Sequence, residues 1–391
     1  MKRWLFIIGI LIILILAGAW IFLLLASDET KRDIYNTFGF TGETEDGVVE
    51  NIIDTLLPGL PPERVPLRQL TTRRVAGYTE VQKASSTPEM YFVEAGTGYV
   101  YTLNLQDGSE RRLSNITIVG AREARITKDG KYAIVKSGDL ETGVATIVKL
   151  SEQEVQSSDL FDTVIDFTIT DENILLYTTY VGNDVTARSY DPESKATKTL
   201  FTVPFNAATI LWGEGIDTAH YAYPKTTREL TGHLYKFEDN TIQRVAITGY
   251  GLSVMKAEDS LLFSKINDGR YKSFTLQTDS NEQKDMLISF FPEKCAPSKE
   301  NSFVYCANST ELEDGSFPDA WYRGAVSYSD NIWRFDTRTS DATFVYDTFS
   351  AAQREIDVIS PFMSDNTMSF YFKNKNDQTL WVYDLTFTDN N

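Results

Sequence analysis

A regular spacing of polar turns constrains the fold of this 391-residue chain more than any other feature. From about residue 66, short β-branched and aromatic runs alternate with turns. Turn centres at positions 129, 172, 215, 258 and 300 lie 42 or 43 residues apart, and one further step back reaches position 86. A second set of turns, including Asp107–Gly108 and Asp279–Ser280, divides each interval again. Each unit of about 43 residues therefore contains four strands.

Four strands in 40–45 residues is the pattern of one blade of a β-propeller, whereas the repeats of a parallel β-helix are shorter. The turns predict seven such units, of which the last has only three strands before the chain ends. A spare strand at 65–71 is predicted to complete this last blade, which would leave no exposed edge. The predicted fold is therefore all-β: a seven-bladed β-propeller over residues 65–391, closed by an N-terminal strand.

The first 27 residues predict a cytoplasmic tip and a transmembrane anchor helix. Lys2 and Arg3 precede an uncharged apolar run over residues 4–26, and a helix of that length spans about 34 Å, enough for a bilayer core. The run is longer than the apolar part of a signal peptide, although cleavage at Leu24-Leu25-Ala26-Ser27 stays an alternative. The basic pair predicts an N-terminus inside, the propeller outside the cytoplasmic membrane (periplasmic or at the cell surface), and the lipid bilayer as a partner of residues 4–26.

Residues 28–64 are predicted to form a tether with an amphipathic helix near 46–57. Its apolar positions recur at helical spacing, and Pro58–Gly59 ends the pattern. This helix either packs on the domain that follows or binds a partner. Its polar side carries carboxylates rather than lysines, which argues against an anionic membrane surface.

Composition excludes some functions. The chain carries 55 acidic and 37 basic residues, a net charge of −18, and so lacks the basic surface that nucleic-acid binding needs. It has two histidines, His220 and His233, which without a carboxylate cluster make a poor metal site. Known catalytic and nucleotide-binding motifs are absent from the sequence. We therefore predict no catalytic residue, cofactor or metal, although a glycosidase-like carboxylate pair stays open.

Two segments resemble a known repeat. The segment 124–135, Ala-Arg-Ile-Thr-Lys-Asp-Gly-Lys-Tyr-Ala-Ile-Val, is similar to the Ser-Pro-Asp-Gly-Lys hairpin of TolB-type, WD-like propeller repeats. Residues 99–108 with Arg112–Ser114 resemble the second half of that repeat, and the chain is also similar to the propellers that precede prolyl-oligopeptidase-type hydrolases. The resemblance implies a propeller with an extracytoplasmic binding or scaffolding role, and it implies no catalytic residue.

The only two cysteines, Cys295 and Cys306, flank one predicted hairpin. Opposed positions on antiparallel strands lie within disulfide range, and an oxidising compartment favours the bond. We predict a disulfide, with two buried thiols as the alternative.

A longer step of 65 residues, between the turns at 300 and 365, marks an insertion at 308–328 in blade six. We place it between the second and third strands, on the face where blades are connected and where propellers commonly bind ligands. Long loops in regular domains are often functional. The candidate partner-binding residues are Glu313, Phe317, Asp319, Trp321, Tyr322 and Arg323. In the alternative, the loop packs its own aromatic side chains down and plugs the channel.

These features together predict a membrane-anchored, non-catalytic binding or scaffold module for protein, or glycan, partners in the cell envelope. The alternative is a propeller enzyme that acts on glycans or lactones through carboxylates or a metal at the channel mouth.

Overall fold

The computed structural model describes residues 65–82, 87–139, 143–150, 155–239, 241–299, 302–309 and 317–390. The predicted membrane anchor, the tether and Glu313 lie outside these ranges. Within them, no helix combines the length and the apolar character needed to cross a membrane.

The described residues form an all-β fold of antiparallel sheets, each built from strands that follow one another in the chain. Sheet 1 contains β2 (Val75–Val81), β3 (Glu89–Glu94), β4 (Val100–Asn104) and β5 (Glu110–Arg112). Sheet 2 contains β6 (Ala121–Ile126), β7 (Tyr132–Gly138), β8 (Gly143–Lys149) and β9 (Gln156–Val164). Sheet 3 contains β10 (Phe167–Ile169), β11 (Leu175–Val181), β12 (Asp184–Tyr190) and β13 (Thr197–Val203).

The second half of the chain continues the same pattern. Sheet 4 has seven strands: β14 (Ala208–Leu211), β15 (His220–Pro224), β16 (Thr231–Glu238), β17 (Thr241–Ala257), β18 (Ser260–Asn267), β19 (Arg270–Gln277) and β20 (Gln283–Asp285). Sheet 5 contains β21 (Cys295–Pro297), β22 (Phe303–Asn308), β23 (Asn331–Asp336) and β24 (Ala342–Tyr346). Sheet 6 contains β25 (Val358–Met363), β26 (Ser369–Asn374), β27 (Leu380–Asp384) and β1 (Leu67–Gln69).

Within the described ranges, four short helical segments accompany the strands. They are α1 (Asp319–Tyr322), α2 (Thr348–Ala352) and two 3₁₀ helices, Pro292–Lys294 and Leu385–Asn390.

Strand β17 explains why sheet 4 has seven strands. Its first part pairs with β16 as far as Tyr250, and its second part pairs with β18 from Tyr250 onward. The register shifts at this point, where Gly251 has a φ of +56°. A side chain is strained at such a φ, so glycine allows the strand to turn from one partner to the next.

Apolar clusters lie between neighbouring sheets and connect them into a ring. One cluster joins Val93 of sheet 1 to Val135 of sheet 2, and another joins Ile332 of sheet 5 to Phe372 of sheet 6. A further cluster joins sheet 6 back to sheet 1. Since each sheet is covered on both faces, the central strands are continuously apolar, as in β3, where four consecutive residues are buried.

The N-terminal strand completes the last sheet, as predicted. Leu67, Arg68 and Gln69 pair with Tyr383, Val382 and Trp381 of β27. The strand is three residues long, shorter than the predicted 65–71. It nevertheless covers an edge that β27 would otherwise expose.

The predicted turns lie where the period placed them. Position 129 lies between β6 and β7, 172 between β10 and β11, and 365 between β25 and β26. The described parts of the inserted segment lie between β22 and β23, the second and third strands of sheet 5.

Candidate binding site at the inserted segment

The antiparallel order of the strands gives the ring two distinct faces. Connections between second and third strands, and connections from one sheet to the next, lie on one side, which we call the loop face. The remaining hairpin turns lie on the opposite side, the turn face. The inserted segment therefore belongs to the loop face.

The inserted segment turns Phe317 and Trp321 inward. Phe317 is fully buried, and its ring contacts those of Tyr271, Phe291 and Tyr328 at centroid distances of 4.8, 5.0 and 5.7 Å. Trp321, on α1, is 6% exposed and packs edge to face on Phe291 at 5.1 Å. These two predicted contact residues are thus covered by the protein, as in the alternative in which the loop packs its own aromatic side chains.

A buried charged cluster lies beneath Trp321. Lys294 Nζ is 2.6 Å from Asp330 Oδ2 and 2.6 Å from Asp357 Oδ1, and all three side chains are fully buried. The indole Nε1–H of Trp321 donates to the carboxylate of Asp357 at 3.0 Å. Buried charges are tolerated only when they are paired and hydrogen-bonded, and these contacts meet that condition for Lys294 and Asp357.

Two further contacts attach the segment to this cluster. The Ser327 hydroxyl donates to Asp357 Oδ2 at 2.9 Å, and Lys375 Nζ donates to the Trp321 carbonyl oxygen at 2.7 Å. The Lys375 ammonium also lies 4.2 Å from the centroid of the Trp321 ring, a cation–π distance. The segment is therefore held from sheets 5 and 6 together.

The carboxyl groups near this cluster have altered proton affinities. Burial, opposed by Lys294 and reinforced by the negative charge of Asp357, raises the pKa of Asp330 to about 6. Partial desolvation also raises the pKa of Glu293 to about 6, although this side chain keeps contact with solvent. The Tyr322 hydroxyl donates a hydrogen bond to Glu293 Oε1.

The other predicted residues of the segment have different surroundings. Asp319 is partly buried, and its carboxylate accepts the Arg228 backbone N–H at 3.2 Å. The Arg228 guanidinium also donates to the Phe317 carbonyl oxygen, which ties the segment to sheet 4. Among the candidates that the structure describes, two face solvent: Tyr322, which is 48% exposed, and Arg323.

The predicted disulfide is present at the base of the segment. Cys295 and Cys306 are directly paired on β21 and β22, with Cα atoms 4.0 Å apart. Cys295 follows Lys294 in the chain, and Cys306 lies two residues before the end of β22. The bond thus fixes the strand pair from which the segment emerges.

The two histidines do not form a common site. His220 lies on β15, where its Nδ1 accepts the Gly213 backbone N–H at 2.9 Å. His233 lies on β16, with Nδ1 2.9 Å from the Thr248 hydroxyl. In the part of the chain that the structure describes, no group of three or more His, Cys, Asp or Glu residues could hold a metal ion.

Apolar side chains that face solvent concentrate on the loop face. The described residues include thirteen large hydrophobic side chains that are exposed, and nine of these lie in loop-face connections or at the adjoining strand ends. They are Val119, Val144, Tyr180, Val181, Leu230, Tyr250, Leu287, Tyr322 and Phe349. Exposed apolar residues gathered on one side of a protein are typical of an interaction surface.

The turn face has a different character. Lys128 and Lys299 form ion pairs with Asp171 and Asp365 at 2.6–3.7 Å. These residues lie on first-to-second-strand turns of sheets 2, 3, 5 and 6. Two of the four ion pairs, Lys128–Asp365 and Lys299–Asp171, join sheets that are not neighbours. They therefore narrow the channel on this face.

Four residues that hold the segment were not predicted from the sequence: Lys294, Asp330, Asp357 and Arg228. Lys294 lies close to the apolar run Phe290-Phe291-Pro292. This position was a signal, because a charge near such a run needs a buried partner. Its two partners lie 36 and 63 residues away, so local spacing does not connect them.

Comparisons with known proteins show the fold. No family model and no curated protein sequence matches the chain. The structure of oligogalacturonate lyase from Vibrio parahaemolyticus is 12% identical, with coverage of 83% of this chain and 94% of that chain and a TM-score of 0.56. The Swd1 β-propeller domain from Myceliophteria thermophila is 8% identical, with coverage of 81% and 99% and a TM-score of 0.53.

A third solved structure bears on ring closure. The β-propeller domain of the Trilobed protease from Pyrococcus furiosus is 12% identical, with coverage of 80% of this chain and 96% of that chain and a TM-score of 0.51. That domain is described as having an open velcro topology, whereas β1 pairs with β27 here. The chain thus has a β-propeller fold, while the TolB-type assignment stays a prediction.

Proposed function

We propose that this protein is a membrane-anchored, seven-bladed propeller that binds a protein partner through its loop face, without catalysis, outside the cytoplasmic membrane. The observation that carries the proposal is the concentration of exposed apolar side chains on that face, which also carries an inserted segment held by a buried charged cluster. Preorganised surfaces lose less entropy on binding.

The blade count is supported by the strand pairing. Five sheets have four strands each, and the seven-stranded sheet amounts to two four-stranded blades if β17 belongs to both. The periodic turns of the sequence support the same number.

Two features support the proposed location. The apolar run at 4–26, preceded by Lys2 and Arg3, supports an anchor with the propeller on the outer side. The Cys295–Cys306 disulfide fits an oxidising compartment, since such bonds are rare in the cytosol.

Deletion of the inserted segment would be a poor test of this proposal. Deletion would remove the buried side chains of Phe317 and Trp321 and would damage the core. A better variant replaces three exposed loop-face residues, Leu230, Leu287 and Phe349, by serine. The matched control replaces Ile242, Phe344 and Met368, which are similarly exposed but lie away from the loop face.

The measurement is chemical cross-linking of the full chain in membranes of its native cells, followed by purification and quantification of the attached partner. We expect the loop-face variant to yield at least tenfold less cross-linked partner than the wild type, while its melting temperature stays unchanged. The control variant should retain wild-type capture. Equal capture by the loop-face variant and the control variant would refute the site assignment. A third variant, Arg323→Glu, tests the inserted segment separately in the same measurement.

One observation favours the alternative, an enzyme acting on glycans or lactones. Glu293 is a solvent-contacting carboxyl with a pKa of about 6 that accepts a hydrogen bond from Tyr322, and general acids and bases are tuned to this range. If this reading holds, the purified protein cleaves a glycan or lactone and Glu293→Gln removes the activity without changing partner capture.

A further inference from the structure

A positively charged cavity lies where sheets 1, 2 and 6 meet. Its volume is about 240 Å³, and its charged lining consists of Arg122, Arg125, Lys136 and Lys373 together with Glu123 and Asp139. The lining therefore carries four cationic and two anionic side chains, an excess of two positive charges. This excess is notable in a chain whose net charge is −18.

Lys373 is the most constrained of these cations. It lies on β26, is 9% exposed and has no ion-pair partner among the residues that the structure describes. Its Nζ reaches the Ala76 carbonyl oxygen at 3.4 Å, a long hydrogen bond. An ammonium has three donors, so this environment leaves Lys373 poorly satisfied.

The proton affinity of Lys373 reflects this environment. Burial, with a further contribution from the positive charge of Arg125, lowers its pKa to about 8. The side chain is still mostly charged at pH 7. The folded protein therefore keeps the Lys373 ammonium in a cavity, although this buried charge lowers the stability of the fold.

The neighbouring cations are better satisfied but face the same space. Lys136, also buried, donates to the Ile165 carbonyl oxygen at 2.5 Å. Arg125 pairs with Glu123 at 3.2 Å, and both side chains are only partly buried. Arg122 is exposed and forms no ion pair within the described residues.

A second cavity continues from the first toward the turn face. It has a volume of about 360 Å³ and shares Arg125 and Lys373 with the first cavity. Lys128, one of the lysines in the ion pairs that narrow the turn face, also lines it.

We propose that this cavity binds the oxyanion of a small molecule, a carboxylate or a phosphate, between Lys373, Lys136 and Arg125. An oxyanion would supply the acceptors that Lys373 lacks, and charge-assisted hydrogen bonds of this kind are stronger than neutral ones. The volume suits a small ligand rather than a polymer segment. This site is separate from the exposed apolar residues proposed to bind a protein partner, so each proposal can fail alone.

The test uses the detergent-solubilised full chain and two anions, inorganic phosphate and D-glucuronate, with chloride at equal ionic strength as the baseline. Isothermal titration and melting temperature report binding. We expect at least one anion to bind and to raise the melting temperature above the chloride baseline. Stronger binding of phosphate or of glucuronate then identifies the chemical source of the oxyanion.

Variants separate a binding role of Lys373 from a structural one. Lys373→Met should weaken binding at least tenfold, yet raise the melting temperature without ligand because a poorly satisfied buried charge is removed. Arg125→Gln should also weaken binding, and Lys198→Met, an exposed lysine elsewhere, should leave it unchanged. Wild-type affinity in Lys373→Met, or no binding of either anion above chloride, would overturn the proposal.

The pH dependence gives an independent readout. Affinity for glucuronate, whose carboxylate stays ionised, should fall between pH 7 and 9.5 as Lys373 loses its proton. Glu123, Asp139, Arg122 and Arg125 also line the cavity, and burial lowers the pKa of Lys136 there. The decrease should therefore be smaller in Lys373→Met, and an equal decrease in both proteins would contradict the role of Lys373.

Discussion

The two aspartates that share Lys294 differ in how well they are satisfied. The Asp357 carboxylate accepts hydrogen bonds from Lys294, Trp321 and Ser327 and from the Tyr328 backbone N–H at 2.6–3.2 Å. Asp330 Oδ2 accepts hydrogen bonds from Lys294 Nζ and from the Val358 backbone N–H, while Asp330 Oδ1 is buried without a hydrogen bond. The Asp357 carboxylate is therefore more strongly stabilised by hydrogen bonds than the Asp330 carboxylate.

We expect Asp357→Asn to lower the free energy of unfolding by about 3–5 kcal/mol, the cost of breaking a buried pair. Asp330→Asn should cost about 1–2 kcal/mol, since the amide oxygen can keep both contacts of Oδ2. Chemical denaturation at pH 7 measures both values. A larger loss for Asp330→Asn would contradict this ranking.

Asp330 also predicts a pH dependence. Its pKa of about 6 in the folded protein lies above its ordinary value of 3.8, so the folded state binds the proton more tightly than the unfolded chain. The stabilisation from this group is complete below about pH 4 and is lost as the pH rises through 6. Relative to Asp330→Asn, the wild type should lose up to about 3 kcal/mol between pH 4 and 7.

The comparison with Asp330→Asn removes other titrations from the measurement. Glu293 also has a raised pKa, but it is present in both proteins and cancels in the difference. Denaturation at half-unit pH steps gives the curve. A difference that stays constant with pH would show that Asp330 does not carry the raised pKa.

At the scale of secondary-structure elements, hairpins were predictable and long-range contacts were not. The turns near 129 and 172 follow from local sequence, because polar turn residues separate adjacent apolar strands. The Cys295–Cys306 pairing followed from their place on one hairpin. The inward packing of the inserted segment depends on residues far away in sequence, such as Arg228, which is 91 residues from Asp319.

The disulfide should stabilise the hairpin β21–β22 and the segment above it. The cysteines are 11 residues apart, so the closed loop is short and its contribution is at most about 3 kcal/mol. We expect Cys295→Ala/Cys306→Ala to lower the free energy of unfolding by about 2–3 kcal/mol under non-reducing conditions. Dithiothreitol should lower the free energy of unfolding of the wild type by a similar amount and leave that of the variant unchanged. A change in the variant on addition of dithiothreitol would contradict this prediction.

At the scale of the whole molecule, the ring depends on a strand of three residues. Leu67 of β1 is 6% exposed and packs in the cluster that contains Ile332, Trp381 and Tyr383. Additional hydrogen bonds extend the pairing on both sides: Asp384 N–H donates to the Pro66 carbonyl oxygen at 2.8 Å, and Leu70 N–H donates to that of Leu380 at 2.7 Å. The sequence predicted this closure because only three strands precede the C-terminus.

Closure makes the stability of sheet 6 depend on a residue more than 300 positions away in sequence. Leu67→Ala removes buried apolar contacts, and we expect it to lower the free energy of unfolding by about 2–5 kcal/mol. Arg68→Ala, on an exposed position of the same strand, should change it by less than about 0.5 kcal/mol. Hydrogen exchange of the Trp381–Tyr383 amides should accelerate in Leu67→Ala alone, because opening of β1 exposes β27. Unchanged exchange together with a lower stability would show that Leu67 acts only through the core and that the ring stays closed without it.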